Sequence, residues 1–225
     1  MLIFKKYLKK WSIVVGFAAW IVALTMSQGC VGTAGLDKLR QSADPFHASP
    51  YPIALKRWTR ESRIYQGLAV KLIVSATYES TDFRRAYADE YARAYHLNDS
   101  QHDKLKADQL LAAGTFHDFF IAAYVPEKGW DDFNKKDSTW KFYLAVNAGL
   151  KIEPVEIRKI DKIDAVTRHF FPYITPWKSI YRVRFPALRP ETQQPLVPSG
   201  TAAVRLVITG VLGTAEMVWE GSIED

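Results

Sequence analysis

The stretch GLAVKLIVSATY puts Leu68, Val70, Leu72, Val74, Ala76 and Tyr78 on one face, with Ala69, Lys71, Ser75 and Thr77 mostly on the other. Alternation with a period of two is the pattern of a strand that buries one face. The rhythm returns along the chain. Trp140, Phe142, Leu144 and Val146 share a face in TWKFYLAVN, and Tyr181, Val183 and Phe185 alternate with Arg182 and Arg184 in SIYRVRFP. Val204, Leu206 and Ile208, then Ala215, Met217 and Trp219, alternate in two segments joined by VLG, which reads as a hairpin. FHDFFIAAYV is apolar on both faces and predicts a central strand. A strand near Ile53 to Arg60, and a strand or a pair bent at Pro154 in GLKIEPVEIRKID, bring the expectation to seven or eight. Strands do not alternate with crossover helices, so pairing should be antiparallel. The expected class is mainly β: an antiparallel β-sandwich, Ig-like by analogy of strand number, with an incomplete barrel as the alternative.

Two segments depart from the rhythm. In STDFRRAYADEYARAYHL, Phe83, Tyr87, Tyr91 and Tyr95 recur every four residues, and Arg84, Arg85, Asp89, Glu90 and Arg93 cover the opposite side. This predicts an amphipathic helix with Ser80 or Thr81 as its cap. After a turn at Leu97 to Asp99, SQHDKLKADQLLAAG predicts a second helix, with Ser100 and Asp103 as a capping box and Gly114 just past its end. The pair reads as a helical hairpin inserted at about 80–114. A short helix is expected within Ile163 to Phe171.

The chain carries 30 basic and 24 acidic residues. Its first ten residues hold Lys5, Lys6, Lys9 and Lys10 and no acid; Trp11 to Thr25 follow without any charge. A basic start, an apolar centre and small residues before a cut site form an export signal, and the apolar run is shorter than the roughly 20 residues of a spanning helix. Without residues 1–29, 26 basic residues face 24 acidic ones, so the positive charge belongs mainly to targeting and no nucleic-acid partner is expected. The chain has a single cysteine, Cys30, which excludes an internal disulfide. Residues 30–52, with Pro45, Pro50 and Pro52, read as a tether, and 53–225 as one domain.

The segment MSQGC resembles the lipobox of bacterial lipoproteins. That resemblance implies cleavage after Gly29, acylation of Cys30 and attachment to membrane lipid. Ser27 stands where most such signals carry an aliphatic residue, and an uncleaved anchor helix over Phe4 to Met26 is the alternative. Val31 rather than Asp after the cysteine points to the outer membrane over the inner, with the domain on the periplasmic side. The signal with Cys30, the aromatic helix pair, WDDFNKKDSTWKFYL, HFFPYITPWKSIYRVRFP and VRLVITGVLGTAEMVW together resemble uncharacterised lipoproteins of Gram-negative bacteria. The resemblance brings no activity and no site residues.

No dinucleotide loop, GxSxG elbow, phosphate loop or HExxH is present, and no cofactor or metal is expected. His117 and Asp118 are adjacent on a predicted strand and so face opposite sides. His96 and His102 flank a turn with Asp99 and Asp103, His169 sits beside Phe170 and Phe171, and Asp131 with Asp132 reads as a solvated loop pair. Three basic features remain: Lys56, Arg57, Arg60 and Arg63; the strand pair Arg182 and Arg184; and Arg205, expected near that pair. Arg182, Arg184 and Arg205 form the candidate binding surface for lipid headgroups, peptidoglycan or an acidic envelope protein. The expected function is non-catalytic: a lipid-anchored envelope protein acting in assembly or within a complex. The alternatives are a glycan- or lipid-binding module using an aromatic cleft beside the helical hairpin, and a hydrolase built on His117 or His169.

Overall fold

The computed structural model describes residues 49–146 and 150–221. Gly29 and Cys30, with the signal and most of the tether, lie outside the described residues.

The described chain opens with a helix, α1 (Tyr51–Trp58), where the sequence predicted a strand and a tether running through Pro52. Proline in a first helical turn lacks an N–H that would go unbonded there anyway. Tyr51, Leu55 and Trp58 recur at helical spacing and all three are buried. The strand starts one residue later. β1 (Thr59–Gln66) and β2 (Ala69–Tyr78) pair antiparallel across a two-residue turn. Gly67 takes a φ of +58° in that turn, and Leu68, expected on the buried face, is fully exposed at its apex. From Leu72 to Tyr78 the buried face of β2 is the expected one.

The helical hairpin follows, as α2 (Thr81–Ala94) and α3 (Asp99–Thr115), ahead of β3 (Phe116–Tyr124). Ser80 caps α2 by accepting from the Phe83 amide. α3 is capped by Asn98, whose capping box closes with Gln101 rather than through Ser100 and Asp103, and Gly114 lies within the last turn rather than beyond it. Asn is as good a cap as Ser, and Asn98 stands two residues ahead of Ser100, so the helix starts earlier than predicted. β3 is buried at all but its end residues and lies in the middle of its sheet. A loop with one 3-10 turn at Lys128–Trp130 leads to β4 (Trp140–Val146). β5 (Leu150–Ile152) and β6 (Glu156–Ile160) flank Pro154. β5 pairs with β4, while β6 pairs with β7 (Ser179–Pro186), so the chain passes from one sheet to the other at the proline. Proline has no N–H to give either ladder. A short helix, α4 (Ala165–Phe170), precedes β7, and β8 (Ala203–Gly210) and β9 (Gly213–Glu220) form the closing hairpin.

Among the described residues there are two sheets, ordered β1-β2-β3-β7-β6 and β5-β4-β8-β9, and every pairing is antiparallel. Their side chains meet in one core. Tyr78 and Phe119 of the five-stranded sheet approach Trp219 of the four-stranded one, with ring centroids at 6.1 and 5.3 Å. Phe133, from the loop before β4, lies between Tyr181 at 4.9 Å and Phe142 at 5.1 Å. The edges β1 and β9 also touch: Arg60 Nε donates to the Val218 carbonyl at 2.8 Å, and Trp219 Nε1 to the Trp58 carbonyl at 2.8 Å.

The second face of the five-stranded sheet is covered by helix and loop. Phe171 stacks on Phe120 with centroids 4.0 Å apart, the Tyr173 hydroxyl meets Thr77 Oγ1 at 2.7 Å, and the Tyr51 hydroxyl donates to the Phe170 carbonyl at 2.7 Å.

Gly213 has a φ of +131°, and a Cβ there would stand 2.7 Å from Ile64 Cγ2. Gly213→Ala is expected to cost about 1–3 kcal/mol, read as a lower urea midpoint; an unchanged midpoint would contradict the β1–β9 contact. Burial pushes the phenols of Tyr51, Tyr173 and Tyr181 far above their ordinary value of 10.0. The folded state therefore keeps protons that the unfolded chain releases near pH 10, so this stability is whole below that pH and is lost as pH rises above it. In a base titration, part of the tyrosinate absorbance should appear only together with the loss of far-UV circular dichroism. Full ionisation of all tyrosines with the fold intact would refute the burial.

Candidate functional site

Arg84 enters α2 in its first turn, on the side the sequence assigned to solvent. It is instead 4% exposed, and Glu90 on the same helix is 1% exposed. The reason is packing on several sides: α2 touches α1 and α3 as well as the aromatic segment around Phe170, so it has no single wet face. A guanidinium taken out of water must find acceptors for its N–H groups. Arg84 Nε donates to the Glu79 carbonyl at 3.0 Å and Nη1 to Gln109 Oε1 at 2.9 Å. Nη2 lies 2.9 Å from Glu79 Oε2 and 2.8 Å from Asp118 Oδ2.

Two further arginines complete the cluster from β7. Arg182 Nη2 donates to Glu79 Oε1 at 3.1 Å. Arg184 grips Asp118 with two nitrogens, at 2.8 and 3.3 Å, reaches Glu156 at 3.4 Å, and lies over the Phe116 ring at 4.5 Å. The bond to Asp118 holds the Arg184 guanidinium above its ordinary pKa. Arg182 and Arg184 thus belong to one network on the helix-covered face of the five-stranded sheet. Arg205 does not join it. It sits on β8 of the other sheet, 3.6 Å from Glu216, with both side chains half exposed.

Beside the network lies a cleft of about 230 Å³ lined by Glu79, Phe83, Arg84, Tyr87, Gln109, Phe171 and Arg182. Burial pushes the Tyr87 phenol up to about 12, and the Glu79 carboxylate adds to the rise, so Tyr87 is a neutral hydroxyl at the wall. Arg182 gives one nitrogen to Glu79, while its Nε is buried with no acceptor among the described residues. Chemically the cleft offers guanidinium, amide and hydroxyl groups beside aromatic surface. It does not offer a free base, because both oxygens of Glu79 and of Asp118 face guanidinium groups.

The other candidates separate. His117 Nδ1 meets the Tyr78 hydroxyl at 2.8 Å on the core side, while Asp118 faces the arginines, as adjacent strand residues must. His102 Nε2 pairs with Asp89 at 2.8 Å rather than with Asp99 or Asp103. His169 packs edge-on against Phe170, with centroids 5.4 Å apart. Asp131 and Asp132 are not a solvated pair. Asp131 accepts from the Tyr181 hydroxyl at 2.7 Å, from Lys159 at 3.0 Å and from Ser179, whereas Asp132 is buried and accepts from Ser138 at 2.9 Å. No group of three or more metal-ligating side chains occurs among the described residues.

A larger cleft of about 650 Å³ lies where β6 ends and β7 begins. Much of its charge is already used: Lys159 pairs with Asp131, Lys178 donates to Ser75 at 3.0 Å, and Asp164 caps α4. Desolvation lowers the Lys178 pKa from its ordinary value. The arginine cleft is therefore the better site on chemical grounds, although it is smaller.

Asp118→Ala strands two arginines and is expected to cost about 3–5 kcal/mol, read by urea unfolding. Arg205→Ala, which breaks a half-exposed pair, should cost about 0–1 kcal/mol. Equal losses from the two substitutions would refute the distinction between them.

No known family model, curated protein or solved structure matches this chain.

Proposed function

We propose that the chain is a lipid-anchored, non-catalytic envelope protein whose domain binds a small carboxylate-bearing ligand in the cleft beside the helical hairpin. In this reading Cys30 is acylated after cleavage at Gly29, the domain is on the periplasmic side of the outer rather than the inner membrane, and binding serves envelope assembly or a complex formed there. The finer fold assignment belongs to the same proposal: the two sheets form a sandwich, Ig-like in kind, with Pro154 and the β1–β9 contact at its two margins.

One observation carries the binding reading. Arg182 stands at the wall of a cleft with only Nη2 on Glu79 and its side chain still 29% exposed. An arginine fork is matched in shape and charge to a carboxylate, and such pairs are stronger than neutral hydrogen bonds. Phe83, Tyr87 and Phe171 supply apolar wall, and Gln109 and Tyr87 supply polar groups for hydroxyls or amides. A cleft of about 230 Å³ is below the roughly 300–1,000 Å³ of drug-sized ligand sites, so it admits one sugar ring or one amino acid. A carboxylated sugar or peptide fragment of the cell wall has this chemistry. The saturated pairing of Glu79 and Asp118 supports binding over acid–base catalysis.

Calorimetric titration with N-acetylmuramic acid, compared with N-acetylglucosamine, tests the reading. The acid should bind at least tenfold more tightly than the neutral sugar, and Arg182→Leu should remove that preference while the far-UV circular dichroism remains that of the folded chain. Equal affinities, or an unchanged preference in the variant, would overturn it.

A further inference from the structure

The turns β1–β2 and β8–β9 carry aliphatic residues where tight hairpins favour glycine, asparagine or aspartate. Leu68 is fully exposed at the first apex and Val211 is 87% exposed at the second. Leu212, beside Val211, is buried and roots its turn in the core, so Val211 projects beyond it. The two apices are neighbours. β1 and β9 run antiparallel along each other, with Arg60 at Val218 and Ile64 at Gly213. The end of β1 is therefore beside the start of β9, and Gly67–Leu68 and Val211–Leu212 sit at the same end of the domain. Tyr65, half exposed, adds an amphipathic ring there.

The two hairpins themselves carry only basic charge near their tips, although exposed Glu127 stands beside Lys128 in the neighbouring loop. Between Glu61 and Glu79 the hairpin has no acid and carries Arg63 and Lys71, and from Leu206 to Ala215 there is no charged residue at all. Arg63 is paired with Glu61 at the base of the turn, which leaves Lys71 nearer the apex. Lys71 lies over the Trp130 ring at 5.3 Å, and exposed Lys128 belongs to the same 3-10 turn as Trp130. Aliphatic tips with aromatic rings and lysines set back from them are the groups that acyl chains, the interface and headgroup phosphates of a bilayer accept.

We propose that this end of the domain inserts the apices Leu68 and Val211 into a phospholipid surface, with Tyr65 and Trp130 at the interface and Lys71 and Lys128 at the headgroup phosphates. The proposal is separate from ligand binding in the arginine cleft, which lies on the helix-covered face of the five-stranded sheet. Attachment through the N-terminal region does not hold this end away from the same membrane. Residues 31–48 fully extended reach at most about 60 Å, against about 26 Å for the length of β1.

The test uses the full chain reconstituted in phosphatidylethanolamine–phosphatidylglycerol vesicles that contain brominated acyl chains. Tryptophan is placed singly by Leu68→Trp, by Val211→Trp, and by Leu111→Trp on α3, a position 72% exposed and outside the two turns. Bromine quenching of the added emission should be at least twofold greater at positions 68 and 211 than at 111. Leu68→Asp with Val211→Asp should make the turn amides exchange faster on vesicles and leave the melting temperature unchanged. Quenching at 68 and 211 equal to that at 111 would overturn the proposal, as would a chain that does not float with the vesicles. Blue-shifted emission at 68 without bromine quenching would assign the tips to a protein partner or a second copy and would overturn it equally. Titration with N-acetylmuramic acid in solution should be the same for the double aspartate variant and the unaltered chain, so failure of one reading does not carry the other with it.

Discussion

Arg84 is attached to a helix, but all its hydrogen-bonding is done on the sheet or on the next helix. Nε, Nη1 and Nη2 are committed to Glu79, Gln109 and Asp118, so the guanidinium has little freedom of position. A side chain fixed in this way fixes the rotation of α2 about its own axis. With that rotation set, Phe83, Tyr87 and Tyr91 point at Tyr51 and Phe170, with centroid separations of 4.7 to 6.3 Å among the closest of those pairs. The aromatic layer on the outer face, and the cleft between that layer and the arginines, both follow from where one buried cation finds its acceptors.

The opposite face of the five-stranded sheet obeys a different rule. Its centre is apolar, where Tyr78, Phe119, Tyr181, Val183 and Phe185 meet the side chains of β4, β8 and β9, and charge enters beside Tyr181 as the Lys159–Asp131 pair. Polar atoms in this core belong mostly to rings that reach a partner: Tyr78 to His117, and Trp219 to the backbone of Trp58. One sheet therefore separates a dry aromatic core from a charged face beneath helices. The alternation of Tyr181, Arg182, Val183, Arg184 and Phe185 along β7 carries both environments in five residues.

That alternation is why so much of the sheet could be read from the sequence. The residues that period two turned inward on β2, β4, β7, β8 and β9 are buried apart from Leu68 and Val70; Ser75, Thr77, Ile180 and Val207 are buried on the other faces as well. The bend at Pro154 is a change of sheet. The helical hairpin was legible from the four-residue spacing of its aromatics. α1 was missed because its eight residues are too few to show periodicity clearly, although Pro52 in the first turn with Tyr51, Leu55 and Trp58 was a usable sign. The charged network was not legible at all. Its partners are 34, 66 and 103 positions apart, and a sequence shows which residues are charged but not which will share a buried site. Arg182 and Arg184 were singled out as a polar strand face; of their acids, Glu79 was not named and Asp118 was named only as the neighbour of His117. Arg205 shows the converse error, since a basic residue on a similar alternating strand belongs to the other sheet.

Buried ion pairs are a poor way to gain stability. Their desolvation consumes most of the attraction, and well-packed apolar replacements are often as stable or more so. Glu79, Arg84, Asp118 and Arg184 could in principle be exchanged together for apolar side chains of like volume without unfolding the sheet. What such an exchange could not keep is the cleft: Arg182 would lose the carboxylate that orients its fork, and the donors beside Tyr87 and Gln109 would lose their fixed spacing. Tight geometry is therefore what this network adds over an apolar core, and what that geometry spaces is the wall of the cleft.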